Sequence, residues 1–106
     1  MARAIITAPK AAKRGEVIEI RALIGHPMET GLRVDSVGQQ VPPDLIRRFT
    51  CHWGNELVFS AELYAAIAAN PYVAFHVVAT ASATLRLNWA GDKGFNQTET
   101  LTIEVT

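Results

Sequence analysis

Apolar and polar residues alternate along most of this chain, and a period of two is typical of β-strands that bury one face. The pattern is clearest where apolar residues occupy every even position from 18 to 24. Further runs cover residues 48–53, 57–63, 72–80, 85–89 and 101–105. In the second of these, Leu57, Phe59 and Ala61 are predicted to face inward. With a first strand near residues 3–7, the sequence predicts about seven short strands.

Turn-forming residues separate these strands. Gly54-Asn55 is a two-residue hairpin turn, and a second turn spans Gly91 to Gly94. Asn70-Pro71 ends an alanine-rich segment, residues 64–69, that could form one or two helical turns. These short connections fit antiparallel strands.

Residues 25–45 form the one long irregular segment that the pattern predicts. Two short runs, residues 32–34 and 40–41, flank Gly38 and could pair as a small hairpin. Pro42-Pro43 then prevents the chain from joining a central strand until about Ile46. Loops on a rigid scaffold often carry binding residues, so this segment is the first candidate for function.

The predicted strands each carry one apolar face, which must be buried by stacking two sheets or by closing a barrel. Turn signals at regular intervals and a tryptophan in mid-chain favour an immunoglobulin-like sandwich. The fold class is therefore predicted as all-β, an immunoglobulin-like β-sandwich of about seven antiparallel strands. Its 106 residues suffice for a single domain, residues 1–106, with a hydrophobic core.

Charge argues against some partners. Ten basic residues balance ten acidic residues, and no basic cluster is larger than the pairs Lys13-Arg14 and Arg47-Arg48. A nucleic-acid partner is not expected, because binding the phosphate backbone requires a basic surface. The first seven residues contain too few apolar side chains for a signal peptide or a membrane span, so the residues alone predict a chain that stays where it is made.

The single cysteine, Cys51, is predicted to be buried. It alternates with Phe49 and Trp53 on one face of a strand, whereas His52 points to the opposite face and could not activate the thiol. The remaining histidines and carboxylates are spread over separate strands and predict no acid-base pair. No catalytic residue, cofactor or metal ligand is expected.

A small copper-binding electron carrier is an alternative, because copper sites of this type need two histidines, a cysteine and often a methionine. The chain contains these residue types. Their spacing is unsuitable, since no His, Cys or Met follows His76.

The run from His26 to Gly31 is the strongest candidate for binding. Pro27 removes a backbone donor and Gly31 permits a positive φ, so the segment can hold a defined shape. His26, Met28 and Glu29 are then expected to project from it. A packed surface loop without a partner and a binding surface remain equally open. Several apolar residues are also expected on the more exposed faces of their strands, namely Leu23, Val58, Tyr72 and Val78.

Taken together, several runs of this sequence resemble the SoxZ family. They are Gly25 to Gly31, Pro42, Phe49 to Cys51, Val58 to Ala61, Ala66 to Tyr72, and Trp89. The resemblance extends over nearly the whole chain. The His-Pro-Met-Glu-Thr-Gly run and the Ala-Ile-Ala-Ala-Asn-Pro-Tyr run are its most specific parts.

The resemblance implies a non-enzymatic subunit that forms a heterodimer with SoxY in the SoxYZ sulfur carrier complex of thiosulfate oxidation. SoxY carries sulfur intermediates on the cysteine of a flexible Gly-Gly-Cys-Gly-Gly tail, whereas this sequence ends in Leu101 to Thr106 without such a tail. This subunit would support the partner's loaded arm, with transient docking of the thiosulfate-oxidising enzymes. Residues predicted to bind partners are His26, Met28, Glu29, Thr30 and Tyr72.

The resemblance also changes the expected location. The pathway is periplasmic, and members of the family are exported with a partner that bears the signal peptide. A third reading of the residues is an immunoglobulin-like interaction module unrelated to sulfur oxidation.

Overall fold

A computed structural model describes residues 3–64 and 69–106, and within these residues the chain forms eight strands. Their bounds are β1 Ala4–Thr7, β2 Ala11–Ala12, β3 Val17–Ile24, β4 Ile46–Trp53, β5 Glu56–Glu62, β6 Tyr72–Val78, β7 Ala83–Gly91 and β8 Asn96–Val105. A short 3₁₀ turn, Asp92–Gly94, joins β7 to β8. The predicted alanine-rich helical turns fall mostly on residues 65–68, which lie outside the described residues.

The strands form two sheets. A three-stranded sheet has the order β1-β3-β6, and a five-stranded sheet has the order β2-β8-β7-β4-β5. This arrangement confirms the predicted all-β sandwich. All pairs are antiparallel except β2 with β8, where Ala11 lies opposite Glu104 in a parallel pair. β2 was not predicted, because a two-residue strand is too short to produce a periodic signal.

The core lies between the two sheets and is built from the alternating apolar residues. Ile20 and Ile24 of β3 are fully buried, as are Phe49 of β4 and Trp89 of β7. Phe49 contacts Trp89 with ring centroids 5.1 Å apart. On the side of the sandwich formed by β5 and β6, Phe59 stacks on Phe75 at 4.3 Å. The aromatic rings therefore fill this side of the core.

Leu57 does not face the core as predicted. Cys51 lies opposite Phe59, but the next residue of β4, His52, lies opposite Leu57, so one residue of β5 is bulged. A bulge moves the following residues to the other face of the strand. Leu57 consequently shares the outer face with His52 and is exposed.

The two predicted hairpins are present. Gly54, with φ 60°, lies in the turn between β4 and β5. Within the irregular segment, Val34 pairs with Gln40 in an isolated antiparallel bridge. Among the described residues, no helix is long and apolar enough to cross a membrane.

Candidate functional site

The irregular segment runs from Gly25 to Leu45 and has a buried part and an exposed part. His26 is only 6% exposed and Met28 only 4%. The expectation that these two side chains project from the loop was therefore wrong. Met28 has a φ of 50°, unusual for a residue with a side chain, and its side chain packs within the hydrophobic core.

His26 is held by hydrogen bonds on both sides. Its backbone N–H donates to Asn70 Oδ1 at 2.9 Å, and the Asn70 N–H donates to the His26 carbonyl at 2.7 Å. The imidazole Nδ1 accepts the Met28 N–H at 3.0 Å. The proton of the neutral ring is thus on Nε2, which lies 3.6 Å from Asp44 Oδ1. With Nδ1 occupied by the backbone, His26 shapes the loop and is not placed to act as a base on an outside molecule.

Met28 connects the loop to the start of β4. Its Sδ accepts the Ile46 N–H at 3.3 Å. Next to it, Glu29 and Asp44 exchange two backbone hydrogen bonds of 2.9 and 2.8 Å, forming a bridge across the segment. These four residues, His26, Met28, Glu29 and Asp44, are called the loop base. The loop base fixes both ends of the segment against the sandwich.

Glu29 and Thr30 also stabilise the loop itself. The Glu29 carboxylate accepts three hydrogen bonds of 2.7 to 3.2 Å from the Arg33 guanidinium, which lower the pKa of Glu29. Thr30 Oγ1 accepts the Leu32 N–H at 3.2 Å. Both side chains are half-buried. Their predicted contact with a partner stays a prediction.

Asp92 is a second anchor of the loop, and sequence reasoning missed it. Its backbone N–H donates to the Leu45 carbonyl at 2.8 Å, and its Oδ2 accepts the Leu45 N–H at 3.0 Å. Arg47 donates from Nε and Nη2 to the same carboxylate, each at 3.0 Å. The Arg47 hydrogen bond, and then that from Leu45, hold the pKa of Asp92 below its usual range. The register shift between Ile46 and Arg48 leaves Arg47 as the bulged residue.

The far end of the segment exposes apolar side chains. Leu32 is 81% exposed, Val34 57% and Val37 76%. These three residues are called the apolar tip. Its backbone is well ordered by hydrogen bonds: Asp35 Oδ1 accepts the N–H groups of Val37 and Gln39 at 3.0 and 2.9 Å. The signal that could have identified the tip is the presence of three large apolar residues in a segment with no buried strand pattern.

Tyr72 lies on the outer face of the three-stranded sheet, as predicted. It is opposite Leu23 of β3, which is in turn opposite Ile5 of β1. Tyr72 is 58% exposed and Ile5 48%. The three side chains form an apolar row across the sheet. Val58, which was grouped with them, lies on the other sheet.

Cys51 is buried as predicted. No part of it is exposed, and burial raises the pKa of its thiol to about 11. The thiol is therefore protonated at neutral pH and shielded from reagents, and a thiolate is the reactive form. Neither of two surface grooves, about 360 Å³ beside β1 and β8 and about 310 Å³ beside Arg47 and Tyr64, is lined by cysteine or histidine.

The structure offers no support for the copper alternative. Over residues 3–64 and 69–106, no three His, Cys, Asp or Glu side chains are grouped so that they could hold a metal ion. His52 and His76 lie on β4 and β6, which belong to different sheets. Cys51, the one thiol of the sequence, is enclosed by the core.

Comparison with known proteins gives one family and several related folds. Residues 6–102 match the model of a family described as Sulphur oxidation protein SoxZ. Comparison with curated protein sequences gives no significant match. Among solved structures, the superoxide reductase (neelaredoxin) of Ignicoccus hospitalis is 18% identical, with a TM-score of 0.77 over 99% of this chain and 82% of that chain.

A second solved structure is the sulfur carrier protein SoxY from Chlorobium limicola. It is 15% identical, with a TM-score of 0.66 over 97% of this chain and 78% of that chain. A putative superoxide reductase from Thermotoga maritima is 18% identical, with a TM-score of 0.75 over 97% of this chain and 85% of that chain. At these identities the likeness shows the fold alone.

Proposed function

Because the chain belongs to the SoxZ family, we propose that it is the non-catalytic subunit of a SoxYZ sulfur carrier complex, in which SoxY holds the sulfur intermediates. The observation that carries this proposal is the family match over residues 6–102. The match supports SoxY as the partner that would cover exposed apolar side chains of the sandwich. A role as an interaction module outside sulfur oxidation has no comparable support.

The burial of Cys51 supports a division of labour between the two subunits. A carrier cysteine must reach the active sites of several enzymes, whereas this thiol is enclosed between the sheets and has a raised pKa. The covalent chemistry is therefore assigned to SoxY. This subunit contributes a rigid scaffold that helps to present the loaded arm.

Two different surfaces fit two kinds of contact. The outer face of the three-stranded sheet has an apolar end with Tyr72 and Leu23 and a charged middle with Glu19 and Arg21. Its apolar end is suited to the stable pairing with SoxY, because permanent interfaces are large and rich in apolar residues. The apolar tip is a small patch on a projecting hairpin. A patch of that size suits transient docking of the thiosulfate-oxidising enzymes.

The location follows from the same proposal. The chain is assigned to the periplasm, where it arrives by co-export with SoxY. In a strain whose SoxY lacks its signal peptide, the chain is expected to remain in the cytoplasm. Periplasmic recovery of the chain in that strain would contradict co-export.

The pairing is tested by titrating purified chain with SoxY of the same organism in a calorimeter and by measuring the mass of the product. We expect a heterodimer that forms at micromolar concentration and buries about 1,600 Å² or more in total. Absence of binding at micromolar concentration would overturn the proposed function.

The division of labour is tested by mass spectrometry of both subunits during thiosulfate turnover. We expect sulfur adducts on SoxY and none on Cys51. A thiol reagent should label native Cys51 at least about 1,000-fold more slowly than the chain unfolded in guanidinium, since labelling requires opening of the core. An adduct on Cys51, or fast labelling of the native chain, would contradict the assignment.

A further inference from the structure

The outer edge of β6 has no partner strand among the described residues. One edge of β6 pairs with β3 in a continuous antiparallel register from Tyr72 to Val78. The sheet order β1-β3-β6 makes β6 the last strand of its sheet. A strand edge offers a row of N–H and C=O groups to any extended chain that reaches it.

The hydrogen-bond pattern shows which backbone groups face outward. Ile24 N–H donates to the Pro71 carbonyl, and Ala79 N–H donates to the Glu16 carbonyl. These two residue pairs continue the register of β3 with β6 at its two ends. In an antiparallel pair of strands, every second residue forms hydrogen bonds with the neighbouring strand. The backbone N–H and C=O groups of Val73, Phe75 and Val77 therefore point to β3. The backbone groups that point away from the sheet belong to Tyr72, Ala74, His76 and Val78.

The β6 edge also lacks the features that protect the other outer strands. β5 is bulged beside Cys51, and it begins and ends with the exposed residues Glu56 and Glu62. β1 has four residues and β2 has two. In contrast, β6 has seven residues, without a bulge, proline, lysine, arginine or carboxylate. Among the outer strands that the structure describes, such an edge is the most favourable one for pairing with another chain.

We propose that the outer edge of β6 is the place where SoxY adds a strand, so that the two sandwiches share a continuous sheet. This inference rests on the proposed function, which supplies SoxY as the partner. The fold likeness supports a shared sheet, because the SoxY structure of Chlorobium limicola superposes on 97% of this chain. Two proteins of one fold can pair through equivalent surfaces about an approximate two-fold axis.

Side chains beside the edge agree with this occupant. Tyr72 and Val78 stand at the two ends of β6 and are 58% and 50% exposed. Both point to the outer face of the sheet, where an added strand would bring neighbouring side chains against them. His76 is the one ionisable side chain on the outer face of β6 apart from Tyr72, and its Nε2 lies 3.7 Å from Glu19 Oε2 on β3. Little charge would need to be buried by pairing.

The test uses two alanine-to-proline variants at the two edges of the same sheet. Ala74→Pro removes an N–H that points to the free edge of β6, and its ring blocks the approach of a strand. Ala4→Pro is the matched control at the outer edge of β1. The Gly25 N–H donates to the Arg3 carbonyl, so the N–H of the next residue, Ala4, points away from β3, as the N–H of Ala74 does. We expect Ala74→Pro to weaken SoxY binding at least about tenfold and Ala4→Pro to change it less than about twofold.

The outcomes separate this inference from the proposed function. If wild type binds SoxY and Ala74→Pro binds equally well, the edge assignment is wrong and the pairing stands. If wild type does not bind SoxY, the proposed function fails first. In a third outcome, the wild-type chain forms homodimers, and Ala74→Pro abolishes them without changing the affinity for SoxY. That result would assign the edge to a second copy of this chain and overturn the inference.

Hydrogen exchange keeps the inference testable if Ala74→Pro does not fold. The amides of Ala74, His76 and Val78 should exchange quickly in the free wild-type chain and become protected when SoxY is added. The amides of Val73, Phe75 and Val77 should be protected both in the free chain and in the complex, because they donate hydrogen bonds to β3. Unchanged exchange at Ala74 and His76 in the complex would overturn the inference.

Discussion

The two ends of the irregular segment use their apolar side chains in opposite ways. In the loop base, Met28 is buried and accepts a backbone hydrogen bond through its sulfur. In the apolar tip, Leu32 and Val37 are largely exposed although the backbone around them is ordered. The base determines where the hairpin lies, and the tip leaves large apolar side chains exposed. Substitutions at the base should therefore affect stability first, and substitutions at the tip should affect recognition.

The largest effect is expected from Gly91→Ala, which acts where the segment rejoins the sandwich. A Cβ at residue 91 would lie 2.7 Å from Ile46 Cα and would meet the Leu45 carbonyl oxygen at even closer range. Those atoms are backbone, so β4 and β7 would have to separate. We expect a loss of at least about 3 kcal/mol in the free energy of unfolding, measured by urea denaturation.

Gly38→Ala near the tip is the matched control for Gly91→Ala. Gly38 has a φ of +84° and no atom within 4 Å of an added Cβ, so its cost is conformational and not steric. A loss of about 1 kcal/mol is expected. Equal losses in the two variants would show that the contact of Gly91 with Leu45 and Ile46 is no more tightly packed than the surroundings of Gly38.

The second largest effect is expected from Met28→Ala. The substitution removes a buried side chain from the core and leaves the Ile46 N–H without its acceptor. We expect a loss of about 2 to 3 kcal/mol in urea denaturation. Met28→Leu retains most of the volume and removes only the sulfur, so it should lose less than about 1.5 kcal/mol. If Met28→Ala were as stable as wild type, Met28 would not anchor the loop.

A smaller effect concerns the second anchor and depends on pH. Arg47 lowers the pKa of Asp92 in the folded chain, so the ionised carboxylate contributes stability above its usual pKa. That contribution is lost as the pH falls through the lowered pKa. Asp92→Asn should therefore be less stable than wild type at pH 7, and the difference should shrink below about pH 4.

The control for Asp92→Asn is Glu62→Gln. Glu62 pairs with Arg48 at 3.8 Å, and both side chains are 59% exposed. An exposed pair of this kind contributes little, so Glu62→Gln should match wild type in urea denaturation at both pH values. A constant difference between Asp92→Asn and wild type from pH 7 to pH 3 would mean that the Asp92 charge has no part in holding Leu45.

The features that could be predicted depend on residues close together in the sequence. The alternation in β3, the Gly54-Asn55 turn and the burial of Cys51 beside Phe49 are all local patterns, and the structure confirms them. The exposure of Tyr72 was predicted for the same reason. Leu57 was misplaced because nothing in the local sequence marks a bulged residue in β5.

The parts that could not be predicted depend on contacts between distant residues. The burial of Met28 requires a positive φ and the Ile46 N–H, which is 18 residues away. The bonds from Asp92 to Leu45 span 47 residues. The irregular course of the segment was therefore predicted, but its buried and exposed residues could not be distinguished. The residues expected to project were those that hold the loop in place.

The smallest effect on stability and the most specific effect on function are expected at the apolar tip. Leu32→Ser and Val37→Ser remove exposed side chains, and each should change the free energy of unfolding by less than about 0.5 kcal/mol. The double variant should still pair with SoxY like wild type. In a reconstituted thiosulfate oxidation assay, its apparent affinity for the docking enzymes should fall about five- to tenfold, since apolar anchors dominate small interfaces.

This result would separate the tip from the loop base, because Met28→Leu should leave the apparent docking affinity unchanged while lowering stability. A tip variant with wild-type turnover would remove the proposed docking role. A tip variant that instead loses SoxY binding would move the hairpin into the stable interface. The β6 edge would then be one part of a larger interface with SoxY. The segment from Gly25 to Leu45 would take part in forming the heterodimer and not in docking the enzymes.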